Sequence, residues 1–86
     1  MKDRRVGKFY IDWFSIDERP EHCRAVLRDC IVLRAESMHH RGAIEYHAIN
    51  PAFDVCEIGD ALPEYNIEIT TLPSGGVKAV KWVKRQ

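Results

Sequence analysis

The stretch from Tyr65 to Lys84 constrains this chain more than any other, because two runs of β-branched and aromatic residues flank a Pro73-Ser74-Gly75-Gly76 turn. Such a pattern specifies an antiparallel hairpin: side chains alternate with period two, and glycine takes turn angles closed to other residues. With Ser74 and Gly75 at the tip, Glu68 falls opposite Lys81, Ile69 opposite Val80 and Ile67 opposite Trp82. One face then collects Tyr65, Ile67, Ile69, Val80 and Trp82, and that face is expected to be core. The lysines spread from Val77 to Arg85 read as charges that guard an edge strand against pairing.

Upstream, Lys8 to Ile16 is rich in aromatic and branched residues and reads as a first, largely buried strand. Asp17 follows as a helix cap, with Glu18, Arg19 and Pro20 in the first turn, where acids and proline are both well placed. The helix is expected to reach about Arg28 and to turn Cys23, Val26, Leu27 and Cys30 inward at spacings of three and four. Residues 20–38 admit three readings: this helix followed by a strand from Ile31 to Met38, one long helix, or a mostly extended segment. The first is preferred, because the run Ile31-Val32-Leu33 suits a strand. A turn over His39 to Gly42, with Gly42 at positive φ, leads to a returning strand from Ala43 to Ile49. An Arg41-Gly42 tip sets Glu36 against His47, and a slip of two sets it against Glu45 instead. Either way Ile31, Leu33, Ala35, Ile44, Tyr46 and Ala48 would share a face. Asn50-Pro51 ends the strand. A loop of about fourteen residues follows, long enough to be functional or pinned down by its own apolar residues, with Phe53 and Ile58 as the expected anchors.

The fold class this predicts is α+β: a small antiparallel sheet of four to five strands with one short helix after the first strand. A chain of 86 residues has room for one domain, 1–86, and for modest stability of about 4–13 kcal/mol. A deep substrate pocket is a poor use of so small a core. After Met1–Arg5 the chain carries Lys8 and Asp12 and no continuous apolar stretch, so no export signal is expected. No run approaches the roughly 18 apolar residues of a membrane span. Cys23, Cys30 and Cys56 have no paired spacing and read as reduced thiols, which points to the cytoplasm.

Function classes narrow by elimination. His22, Cys23, Cys30, His39, His40, His47 and Cys56 are zinc-ligand types, but their spacing fits no knuckle, so neither a metal nor a cofactor is expected. Glycine-rich phosphate loops and nucleophile elbows are absent, and a cross-strand Glu36–His47 pair, or His47 with Cys56, is thin support for catalysis. The chain is therefore read as non-enzymatic.

Formal charge is zero, yet unevenly spread. Basic residues sit at both ends, while 42–76 holds no lysine or arginine. The acidic loop, with Asp54, Glu57, Asp60 and Glu64 around Ile58, is the candidate partner-binding site: carboxylates to steer a basic surface, apolar residues to hold it. The reading is a small interaction domain, a regulator or inhibitor of the kind that phage and other mobile elements carry, acting on a protein partner through this loop or a sheet edge. A homodimer fits the complementary segments. The alternative is a nucleic-acid accessory protein using Arg4, Arg5, Lys8, Lys78, Lys81, Lys84 and Arg85.

Overall fold

The computed structural model describes residues 5–56 and 61–85. The element order is β1 (Val6–Asp12), α1 (Trp13–Glu18), α2 (Pro20–Leu27), β2 (Ile31–Met38), a 3₁₀ turn (His39–Arg41), β3 (Ala43–Ile49), β4 (Tyr65–Thr71) and β5 (Val77–Lys84). The fold is α+β. Its strands form two antiparallel sheets, β1-β3-β2 and β4-β5. No helix among the described residues is long and apolar enough to cross a membrane.

The β4-β5 hairpin takes the expected register, with Glu68 opposite Lys81, Ile69 opposite Val80 and Ile67 opposite Trp82. Its inward face packs on β1: Trp82 meets Phe9 edge-on at 4.9 Å and Phe53 at 5.0 Å. Phe9 and Phe53 are fully buried, and with Ile11, Val26, Ala48 and Tyr65 they form the core on which Cys23, Leu27 and Cys30 of the helical stripe also rest. Gly7 makes this possible. A Cβ there would lie 2.7 Å from the Tyr65 ring and 3.1 Å from Phe53, so only glycine lets the two rings lie against β1.

Residues 20–38 resolve as helix followed by strand. The first strand is shorter than the sequence suggested. It stops at Asp12, where the Ser15 hydroxyl donates to the Asp12 carboxylate at 2.7 Å and the Trp13 N–H donates to Gly42 O at 2.8 Å. Residues 13–16 consequently turn as helix. Ile16 packs against the core, while Trp13 and Phe14 stay 40% and 61% exposed. Asp17 lies inside α1 and caps nothing; the junction before Pro20 is Arg19, at φ −136°.

Gly42 takes φ 62° as expected. The three-residue 3₁₀ turn before it shifts the β2-β3 register by two, setting Glu36 opposite Glu45 and Ala35 opposite Tyr46. A bulge between Val32 and Arg34 then breaks the expected parity. Val32 comes opposite Ala48, and Ile31, opposite Ile49, turns to the other face.

The loop after β3 is organised by Asn50, 2% exposed, whose Oδ1 accepts the Ala52 N–H at 2.8 Å. This Asx turn drops Phe53 into the core. The second expected anchor, Ile58, lies outside the described residues.

Candidate interaction site

Lys8 N–H donates to Pro63 O at 2.9 Å, on the side of β1 away from β3. Backbone direction alternates along strands, so His47, opposite Lys8, turns its own groups toward β2. Arg34, opposite His47, bonds inward to β3, and Ala35 and Ser37 aim their N–H and C=O outward from the sheet. Among the described residues β2 is thus a free edge. Every residue from Ile31 to Ser37 is exposed, including Ile31 (64%), Val32 (43%) and Leu33 (57%). The cause is coverage: the core draws on β1, β3, α2 and the C-terminal hairpin, and no β2 side chain belongs to it among the described residues.

Polar pairing organises the open face of the same sheet. Tyr10 donates its hydroxyl to Glu45 at 2.7 Å, and His47 Nε2 lies 3.0 Å from the other oxygen of that carboxylate. The Tyr10 hydrogen bond holds Glu45 below the ordinary carboxylate range, against the opposing pull of its partial burial. The same bond pushes Tyr10 above the usual phenol value. Glu36 would repel Glu45 across the strands but pairs with Arg34 at 2.6 Å on its own strand. The Glu36–His47 pair suggested by the sequence is therefore replaced by two others. Arg41 stacks over the Tyr10 ring at 4.5 Å.

The acidic loop and the basic terminus find each other. Lys84 lies 3.2 Å from Asp54, and Arg85 lies 2.6 Å from Glu64. Glu57, Ile58 and Asp60 lie outside the described residues, so of the candidate loop site the structure places Asp54 and Glu64 alone. Exposed ion pairs of this kind are worth about 0–1 kcal/mol, so they moderate the loop's charge without locking it. The candidate nucleic-acid residues that are described have partners of their own in several cases. Arg5 donates to Phe53 O at 2.9 Å, Lys8 sits opposite His47 on β1, and Lys81 faces Glu68. Lys78 is exposed, and Arg4 lies outside the described residues.

Cys23 and Cys30 are free thiols tucked against Ser15 O at 3.6 Å and Val26 O at 3.4 Å. Burial pushes both thiols above their ordinary value, which keeps them protonated and poorly nucleophilic at neutral pH. Among the described residues, no group of three His, Cys, Asp or Glu side chains is placed to hold a metal ion. The bare edge of β2 was missed in the sequence, where Ile31 and Leu33 read only as sharing a face with Ala35, Ile44, Tyr46 and Ala48. The available signal was the unbroken apolar run, which leaves a strand apolar on both faces.

No protein family, curated protein or solved structure matches this chain.

Proposed function

We propose that this chain is a protein–protein interaction domain that pairs with a second copy of itself through the free edge of β2. The carrying observation is that edge: outward-aimed backbone groups at Ala35 and Ser37 beside exposed Ile31, Val32 and Leu33. Soluble proteins normally blunt such an edge, since it templates pairing with another strand. The bulge at Leu33 blunts one end only, leaving Arg34–Met38 regular.

A two-fold axis at Ala35 sets two β2 strands antiparallel, with Ala35 opposite its own copy and Arg34 opposite Glu36 twice over. That register satisfies the outward backbone groups of Ala35 and matches unlike charges, as an isologous interface requires. A two-strand contact is smaller than the roughly 1,600 Å² of a standard interface, so the dimer is expected to be weak and concentration-dependent. A regulator or inhibitor built this way acts by covering a surface, and none of its residues needs to perform chemistry.

Sedimentation equilibrium tests the reading. Apparent mass should rise from 10.0 kDa toward twice that value with concentration. Ala35→Pro, which removes an N–H that β3 does not use, should hold the chain at the monomer mass. A mass independent of concentration would refute it.

A further inference from the structure

The second opening in the molecule lies between the two sheets, at the opposite side from β2. β1 and the start of β4 run parallel, and among the described residues their backbones pair at one isolated bridge, Lys8 to Glu64. Beyond it they diverge around a cleft of about 490 Å³, bounded also by Cys23 and Val26 of α2.

Both walls of the cleft are unpaired strand edges. Lys8 aims its N–H away from β3, so by alternation the Tyr10 N–H and C=O and the Asp12 N–H also aim away from β3 and toward the cleft. Arg85 N–H donates to Glu64 O at 2.9 Å, which fixes Glu64 toward β5 and turns Tyr65, Ile67 and Ile69 toward β1. Beyond the bridge, no backbone bond among the described residues joins the two walls. Side chains divide as they do in a sheet with one strand left out. Ile11, Ile67 and Ile69, from the core faces of β1 and β4, line the cleft together with Tyr10, Asn66 and Arg41.

We infer that this cleft is a strand-insertion site: an extended segment of a partner protein, with apolar and acidic residues alternating, enters between β1 and β4 and joins the two sheets into one. Backbone pairing to Tyr10, Asp12, Ile67 and Ile69 supplies affinity, and alternate side chains supply specificity. Apolar side chains of the segment meet Ile11, Ile67 and Ile69. Its acidic side chains meet Arg41, which rests on Tyr10 with no carboxylate in ion-pair range among the described residues; of the two carboxylates that also line the cleft, Glu64 is paired with Arg85 and Asp12 accepts the Ser15 hydroxyl. The length paired is three to four residues, since the open stretch of each wall, Tyr10 to Asp12 and Ile67 to Ile69, spans three residues and a strand rises about 3.3 Å per residue. This site is independent of β2, and either can fail alone.

The test is an amide-resolved NMR titration of the full chain with the capped peptide Ac-Glu-Val-Glu-Val-Glu-NH₂ and its lysine counterpart Ac-Lys-Val-Lys-Val-Lys-NH₂. The glutamate peptide should shift the amides of Tyr10, Asp12, Ile67 and Ile69 and slow their hydrogen exchange, with the lysine peptide about tenfold weaker. Arg41→Glu, at an exposed turn position, should reverse that preference while leaving the fold's other amides in place. Shifts confined to β2, or none at millimolar peptide, would overturn the proposal. So would slow exchange of these four amides in the free protein, whether constant, which would mean that the chain fills its own cleft, or growing with protein concentration, which would mean that a second copy does.

Discussion

Phe53 and Tyr65 stack at 4.3 Å with their ring planes 14° apart, and the pair lies directly over Gly7. This contact joins the loop after β3, the start of β4 and the start of β1 at one point. The Tyr65 hydroxyl adds to it by accepting the Asp54 N–H at 2.7 Å. Gly7→Ala would place a methyl group within 2.7 Å of the Tyr65 ring, where the ring's inner edge and not a flexible end must yield. A loss of about 1–3 kcal/mol is expected, read from urea unfolding. Wild-type stability in that variant would disprove the packing.

Truncating the other partner should cost more. Phe53 is fully buried among Phe9, Tyr65 and Trp82, so Phe53→Ala removes a ring and leaves a cavity, for about 3–5 kcal/mol. In a chain of this size that loss should abolish or broaden the cooperative thermal transition.

Asn50 gives a pH-dependent test. Its side chain accepts the Ala52 N–H and donates to Cys30 Sγ at 3.3 Å from a site 2% exposed. Asn50→Ala should cost about 1–3 kcal/mol by leaving the Ala52 N–H without its acceptor. Asn50→Asp keeps an acceptor but buries an acid beside a thiol. Burial raises that acid's folded pKa, so the stability the variant retains at low pH is lost as pH rises through the raised value. Denaturation at pH 4 and pH 7 should show the larger deficit at pH 7.

The Tyr10–Glu45 bond links stability to pH at both limits. Glu45 is held low in the folded state, so its contribution is complete above the unfolded carboxylate value and fades as pH falls through the folded one. Tyr10 is held high, so its contribution is present below the unfolded phenol value and is lost as pH rises through the folded one. Tyr10→Phe should move the Glu45 side-chain titration, followed by NMR, up toward the ordinary range. An unchanged Glu45 midpoint would show that the hydrogen bond is not what holds it.

What could be read from the residues follows how local the determinants are. The β4-β5 hairpin carries its register in the Pro73–Gly76 turn, in its alternation and in the facing Glu68 and Lys81, all within twenty residues. The β2-β3 register depends on a bulge at Leu33 and on the 3₁₀ turn of His39–Arg41, neither of which leaves a compositional mark. Trp13 and Phe14 looked like strand because aromatic residues suit strands, but the Gly42 carbonyl and the Ser15–Asp12 contact draw them into a helix. The acidic loop was visible as a charge pattern, whereas its pairing with Lys84 and Arg85 belongs to tertiary structure. The bareness of β2 was hidden for the same reason: whether a strand is covered depends on where distant elements land.

The central claim, self-pairing through β2, is tested most directly by an isotope-filtered NOE experiment on an equal mixture of labelled and unlabelled protein. With the two-fold axis at Ala35, Arg34 and Glu36 of the second copy form a pair with no hydrogen bonds between them, bringing their Cα atoms to about 4.5 Å. The expected result is an intermolecular Hα–Hα contact between Arg34 and Glu36 that strengthens with concentration and vanishes in Ala35→Pro. Intermolecular contacts that leave out β2 altogether, or a monomer at millimolar concentration with none, would contradict it.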